Sequence, residues 1–329
     1  MSENPPLKRQ RTDDAQCASE TQPLQRSRFW FDDGNVILQA ENTQFRVHRS
    51  VLSLYSNIFK AMFSVPHPTG TTTMPNVDGC PVIALPDNAS DLEHVLSIFY
   101  GNIRSYDMRK RMPMDLLTAI LRFGKKYEID HLCKEGLERL PFDFANTLQK
   151  WDMSFDEDPQ TDYSLQVHNV LQLGCELSIL SCLPTAYLMF VAHSNLDTIM
   201  KRSTDYGGAM DRQIISRSVL GRDKLIQAYL EVLKGWAQER LLTPSQQCSS
   251  TSFCSHKKLL ASQSLFSTGD GKISLLEPWR VVETSNFLLC EPCLESLRVP
   301  YQKARQGLWA DLPSFFGLPP WEELKDFDA

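Results

Sequence analysis

Residues 44–63 combine two hydrophobic periods in immediate succession, and this junction limits the folds that the chain can adopt. In the first part, Phe45 and Val47 alternate with polar residues, which is the period of a strand with one buried face. From residue 51 onward, apolar residues recur at steps of three and four, which predicts one or two short amphipathic helices. These residues are Val51, Leu52, Tyr55, Ile58, Phe59, Met62 and Phe63. The junction therefore predicts an α+β fold in which a strand leads directly into helices.

The segments on either side of this junction predict a small sheet. Residues 36–40 are mostly apolar, and turn-forming residues separate them from the next strand, so the two are expected to form a β-hairpin. Residues 82–85 predict a third strand after a loop that is rich in proline, glycine and threonine.

Three more helices are expected after this sheet. Ser90 and Glu93 have the spacing of a capping box at a helix start. Pro113 is expected in the first turn of the next helix, because proline is favoured there. A third helix over 129–140 places its leucines on one side.

The order of these segments resembles that of a BTB/POZ domain over roughly residues 29 to 140. The most specific part of the resemblance is a spaced set of residues, namely Phe45, His48, Arg49, Leu52, Ser56, Phe59, Met62 and Phe63. The resemblance implies a BTB/POZ fold over 28–145, a small sheet capped by a helical cluster, that serves in protein–protein interaction. It also implies that His48 and Arg49 cap the junction between strand and helix, so His48 is structural and not catalytic.

One position departs from the family pattern and bears on self-association. Many family members carry Asp immediately before the first-strand valine, where this chain has Asn35, with Asp33 two residues upstream. In dimeric members that acid forms a charged pocket with the residue that matches Arg49, so the expectation of a homodimer is weaker here. The arrangement also resembles that of a group of uncharacterised fungal BTB proteins.

Composition limits the classes of protein that remain. The 329 residues suggest about two domains, and 42% hydrophobic residues are enough to build their cores. The net charge of -6 does not favour direct binding to nucleic acid, which requires a basic face. We expect no membrane span, because no stretch approaches about 20 apolar residues. The first residues lack the apolar core of a secretory signal, which predicts an intracellular protein with reduced or metal-bound cysteines.

Residues 1–27 are polar and predict a disordered tail. The tail contains the basic residues Lys8, Arg9 and Arg11, which match either a nuclear import signal or a solvated charge run. Location in the nucleus and location in the cytoplasm therefore both remain open.

The rest of the chain predicts an acidic linker over 146–162 and a mostly α-helical region over 163–329. A helical pair interrupted near Pro184 is followed by an amphipathic helix over 223–239. The aromatic residues of 309–324 serve either as a packed cap or as a recognition segment, and packing is the preferred interpretation.

Five residues of this region are candidate ligands of a structural zinc ion: Cys248, Cys254, His256, Cys290 and Cys293. The last two have the two-residue spacing of zinc ligands, and either Cys248 with Cys254 or Cys254 with His256 completes a set of four. Three other interpretations compete with the structural site: a buried core thiol at Cys290, a redox pair, and an open catalytic zinc.

No enzyme signature accompanies these residues. The Gly-Lys pair within 269–274 has Phe266 where a phosphate-binding loop needs glycine and Ile273 where it needs Ser or Thr. We therefore predict no catalytic residue and no organic cofactor. The predicted function is that of a non-enzymatic interaction protein, with the C-terminal region giving partner specificity. Two roles follow from the resemblance: a substrate adaptor on a cullin-type ubiquitin ligase, or a nuclear transcriptional or chromatin scaffold. An enzyme built on the C-terminal cysteines is the competing class.

Overall fold

The structure, a computed structural model, describes residues 23–65, 76–101, 112–156, 163–192, 194–206, 208–238, 243–265, 276–280 and 288–327. A five-stranded sheet of order β1-β3-β2-β5-β4 lies near the start of this part of the chain. Its strands are β1 (Gln25–Trp30), β2 (Val36–Ala40), β3 (Thr43–Val47), β4 (Asn76–Val77) and β5 (Cys80–Leu85). The expected hairpin of β2 and β3 is confirmed, with Val36 opposite Val47, and β5 pairs parallel to β2.

Two helices follow β3 directly, as the junction of periods predicts, and three more follow β5. They are α1 (Arg49–Tyr55), α2 (Asn57–Ser64), α3 (Ala89–Tyr100), α4 (Met114–Lys126) and α5 (Asp130–Asp143). Ser56 divides α1 from α2, because its hydroxyl accepts from Phe59 N–H at 3.1 Å and donates to the Tyr127 carbonyl at 2.6 Å. The buried Ser56 therefore fixes both the helix start and the packing of α2 near the end of α4.

The predicted capping box at Ser90 and Glu93 is wrong. The N-cap is Asn88, whose side-chain oxygen accepts from the N–H groups of Ser90 at 2.8 Å and Asp91 at 3.3 Å. Ser90 already lies inside α3, so its own N–H is one of the donors that a cap must satisfy. Glu93 instead pairs with Arg28 of β1.

The remainder of the described chain is mostly helical, as expected. Its helices are α6 (Leu148–Met153), α7 (Tyr163–Leu177), α8 (Leu183–Ala192), α9 (Leu196–Tyr206), α10 (Ala209–Gln238), α11 (Thr251–Leu265) and α12 (Glu291–Phe315). The break before Pro184 is present, and Ser178 adopts a positive φ of 55° there. Helix α10 begins fourteen residues earlier than the apolar pattern predicts. Buried polar contacts hold its start, since Asp211 accepts from Gln172 at 2.6 Å and lies 3.2 Å from His168.

Two segments differ locally from the predicted domain boundaries. Strand β1 begins at Gln25, inside the predicted tail, while residues 1–22, which carry the basic cluster, lie outside the described residues. The segment predicted as a linker contains α6, and Asp152 at its end forms an ion pair with the buried Arg305 of α12. Strand β1 was not predicted because charged residues alternate along it. Asp152 was not predicted to pack because its partner, Arg305, lies 153 residues away in the chain.

A single continuous core joins the sheet to the helical region. It runs from Val36 and Phe45 of the sheet through α4, α7 and α8 to Phe316 and Leu318. Helix α4 contacts both α3 and α7, and α8 is buried on all sides. A second, smaller core consists of Trp236, Trp279, Leu297 and Tyr301. The predicted fold class is confirmed: an α+β domain is followed by a helical region.

Candidate metal centre

Four cysteines from three separate segments meet beside the smaller core. They are Cys248, Cys254, Cys290 and Cys293, and their sulfur atoms all lie within 4.8 Å of one another. Cys254 and Cys293 are buried, whereas Cys248 and Cys290 are half-buried. This group of four cysteines could hold a metal ion.

Local structure directs each sulfur toward the same point. Cys248 closes a turn in which its N–H donates to the Ser245 carbonyl at 3.0 Å, and Cys254 lies in the first turn of α11. Cys290 is the N-cap of α12, and Cys293 follows in the first turn after Pro292. The first turn of a helix carries partial positive charge from its unpaired N–H groups, so both helices favour negative charge on these sulfurs.

The separations between sulfur atoms agree with a tetrahedral ion. The Sγ atoms of Cys254 and Cys290 are 3.7 Å apart, as are those of Cys290 and Cys248. A tetrahedral zinc site with Zn–S bonds of about 2.3 Å separates its sulfurs by about 3.8 Å. A disulfide would require about 2.05 Å. The observed distances therefore fit four ligands around one ion and do not fit disulfides.

Nearby N–H groups and burial give the four thiols unequal acidity. A backbone N–H from Ser249, followed by one from Cys293, lowers the pKa of Cys290 to about 6. Burial raises the pKa of Cys293, although the Ser245 N–H donates to its sulfur at 3.3 Å. Neighbouring thiolates repel one another, so four ionised sulfurs need a cation between them. A divalent ion at the centre would supply that charge and deprotonate its ligands.

His256 is the predicted candidate that the structure does not place with the others. Its side chain is exposed on α11, outside the group formed by the four cysteines. Of the two sets that the sequence left open, the structure brings Cys248 and Cys254 together with Cys290 and Cys293. The assignment of these residues as ligands remains a prediction.

Sequence reasoning missed one residue beside this cluster. Lys258 lies on α11 one turn after Cys254, and its side chain is only 1% exposed. A lysine in a polar segment resembles a solvated residue, so the only available signal was its four-residue spacing from Cys254. Residues 269–274, which the sequence does not support as a phosphate-binding loop, lie outside the described residues.

The His48-Arg49 pair has structural contacts at the strand-to-helix junction. The His48 backbone N–H donates to the Tyr100 hydroxyl at 2.9 Å, and its Nε2 lies 3.1 Å from Asp33. The Arg49 N–H donates to the side-chain oxygen of Asn35 at 2.8 Å, so Asn35 caps the start of α1. These contacts agree with the expected structural role of His48.

Comparisons with known proteins identify the first of the two regions. The family model of the BTB/POZ domain matches residues 25–140, which include the sheet and helices α1 to α4 and most of α5. No curated protein and no solved structure matches the chain significantly. Within the described residues, no helix has the length and apolar character needed to cross a bilayer. Residues 25–140 are thus a BTB/POZ domain, a module of protein–protein interaction.

Proposed function

We propose that the chain is a non-enzymatic interaction protein in which the BTB/POZ domain at 25–140 recruits a partner or self-associates. The match to this domain is the observation that carries the proposal. The helical region that follows gives specificity for a second partner. The absence of an enzyme signature in the sequence supports the same class.

Within this class, we favour a substrate adaptor of a cullin-type ubiquitin ligase. An adaptor must hold its substrate in a defined position relative to the ligase scaffold. The continuous core supports this role, because α4 of the BTB/POZ domain packs on α7 of the helical region. The BTB/POZ domain would bind the cullin, and the helical region would bind the substrate.

The four-cysteine group serves this proposal as a structural zinc site. Zinc suits a tetrahedral set of thiolates, and a site with four protein ligands leaves no position for substrate or water. The segment that carries Cys248 and the start of α11 have few buried apolar residues of their own. Zinc binding would therefore supply much of the stability of this part of the region.

Isothermal titration of the full chain with the N-terminal domain of the BTB-binding cullin tests the adaptor role. We expect a dissociation constant in the micromolar range or tighter, which corresponds to about -8 kcal/mol or better. The full chain is used because the shared core would be cut in a BTB/POZ fragment. Treatment with a chelator is the control, and it should leave cullin affinity unchanged, since the cysteines lie outside residues 25–140.

No detectable heat at high concentration would contradict the adaptor role. A nuclear scaffold would then become the leading function, and the observation that favours it is the basic cluster of Lys8, Arg9 and Arg11. Replacement of these three residues by alanine in a fluorescent fusion should then reduce nuclear accumulation. An unchanged nuclear accumulation of the fusion would show that this cluster does not direct import.

A further inference from the structure

Lys258 connects the three segments that supply the cysteines. It lies on α11 with Cys254, and its ammonium donates to the Thr243 carbonyl at 2.7 Å, close to Cys248 in the chain. The same ammonium donates to the Ser296 hydroxyl at 2.5 Å, and Ser296 lies on α12 three residues after Cys293. A single buried side chain thus contacts the segment of every cysteine in the group.

Burial of a lysine needs a compensating charge. Transfer of an ammonium group out of water is strongly unfavourable unless an opposite charge lies near it. The Thr243 and Ser296 oxygens accept hydrogen bonds but carry no net charge. Burial lowers the pKa of Lys258, and the opposing negative charges that raise it are the thiolates of the four cysteines. Negative charge on the four cysteines would therefore compensate the buried ammonium of Lys258.

A site with four thiolates around a divalent cation carries a net negative charge. Four thiolates and one zinc ion sum to a charge of about -2, which is costly in a partly buried site. One ammonium would halve this excess, and the first turns of α11 and α12 contribute further positive potential.

We infer that Lys258 is a positioning residue of the metal centre, whose ammonium balances the thiolate charge and holds the three ligand-bearing segments together. The inference rests on the proposed zinc site. Charge balance makes the thiolates poorer targets for protons and electrophiles, so Lys258 slows the loss of the metal. A metal centre of this kind is suited to long-lived structural zinc.

The test uses the zinc-loaded full chain and the variants Lys258→Met and Lys257→Met. Lys257 is the matched control, since it is the next residue on α11 but is half-exposed and lies over the Phe253 ring. We expect Lys258→Met to transfer zinc to excess EDTA about tenfold faster or more, as is typical when a residue that orients metal ligands is lost. Lys257→Met should release zinc at the wild-type rate.

A spectroscopic measurement separates charge balance from simple destabilisation. In the cobalt-loaded protein, loss of the ammonium raises the energy of the sulfur lone pairs. The sulfur-to-cobalt charge-transfer band of Lys258→Met should therefore move to lower energy, and that of Lys257→Met should not. A purely structural role for Lys258 would leave this band in place.

The outcomes distinguish the inference from the proposed function. Equal release rates and equal bands in the two variants would overturn the role of Lys258 and leave the metal centre intact. A wild-type chain that binds no zinc would overturn the centre itself. Where Lys258→Met does not fold, ¹⁵N spectra of the zinc-loaded wild type decide: a charged ammonium signal for Lys258 supports the inference, and a neutral amine signal overturns it.

Discussion

At the scale of single residues, substitutions at Cys290 and Cys293 are expected to have the largest effects, because these two cysteines hold the start of α12 at the four-cysteine group. Replacement of either by serine leaves three thiols and a poorer ligand for zinc. We expect Cys290→Ser and Cys293→Ser to lower bound zinc and the thermal unfolding temperature together, because metal binding contributes folding free energy. Elemental analysis of the purified chain and calorimetry measure the two quantities.

Two control variants accompany this experiment. Cys133→Ser changes a half-buried thiol of α5 outside the group, and His256→Ala removes the exposed candidate that the structure leaves aside. Both should retain wild-type zinc content. Unchanged zinc in both Cys290→Ser and Cys293→Ser would remove the claim that the group binds metal.

Arg305 gives a second prediction at this scale. It is 5% exposed, its guanidinium pairs with Asp152, and its Nε donates to the Leu276 carbonyl at 3.0 Å. We expect Arg305→Ala to lower the free energy of unfolding by about 1.5–3 kcal/mol, since it removes charge-assisted hydrogen bonds to Asp152, whose side chain is 30% exposed and can be rehydrated. Urea unfolding provides the measurement, and Lys303→Ala, an exposed change on the same helix, should cost less than about 0.5 kcal/mol. Equal effects of the two variants would show that the ion pair is not a stabilising contact.

At the scale of helices and strands, α10 offers two glycines with opposite expectations. A Cβ at Gly221 would lie 2.2 Å from a ring carbon of Phe316, whose ring also stacks on Tyr187 with centroids 5.0 Å apart. A Cβ at Gly235 would meet nothing within 4 Å. The close approach of α10 to the end of α12 therefore depends on the first glycine only.

We expect Gly221→Ala to destabilise the chain by about 1–3 kcal/mol, because the new methyl group forces the buried Phe316 to move. Gly235→Ala should stabilise it by about 0.5–1 kcal/mol, because alanine is the better residue inside a helix. Chemical unfolding of both variants measures the difference. If Gly235→Ala destabilises the chain by the same amount, α10 does not tolerate alanine at either glycine, and the contact with Phe316 is not the cause.

At the scale of the whole molecule, the end of the described chain returns to the BTB/POZ domain. Lys125 of α4 donates to the Phe327 carbonyl at 3.1 Å, and Asp326 accepts from Ser181 N–H at 2.9 Å and its hydroxyl at 2.8 Å. Trp321 stacks on Trp309 with centroids 5.2 Å apart. These contacts confirm the packing interpretation of the aromatic residues and add to the continuous core.

A shared core should unfold as a unit. We expect a single calorimetric transition in which the BTB/POZ domain and the helical region lose structure together, since separation would expose the buried faces of α4 and α7. Hydrogen exchange of β2 and of α8 should then report the same opening free energy. Two resolved transitions would show that the two regions are independent domains.

The local patterns of the chain predict much of this architecture. The alternation at Phe45 and Val47 and the helical period after Val51 correspond to β3, α1 and α2, because burial of one face imposes those periods on neighbouring residues. Cys248, Cys254, Cys290 and Cys293 could be proposed from spacing, since thiols in a polar segment suggest a ligand role. The capping box failed because Asn88, two residues earlier, offers the better-placed oxygen.

Interactions between neighbours in the chain define the features that can be predicted from the residues alone: the hairpin, the first helices, the helical character of the rest and the pool of candidate ligands. Which distant groups meet depends on the tertiary fold. It excluded His256 from the cysteine group, buried Lys258 beside it, and paired Asp152 with Arg305 across 153 residues. Periodicity reflects the environment of one segment, whereas these contacts depend on how α6, α11 and α12 pack. The residues next to a side chain in the sequence do not indicate which distant residues it contacts.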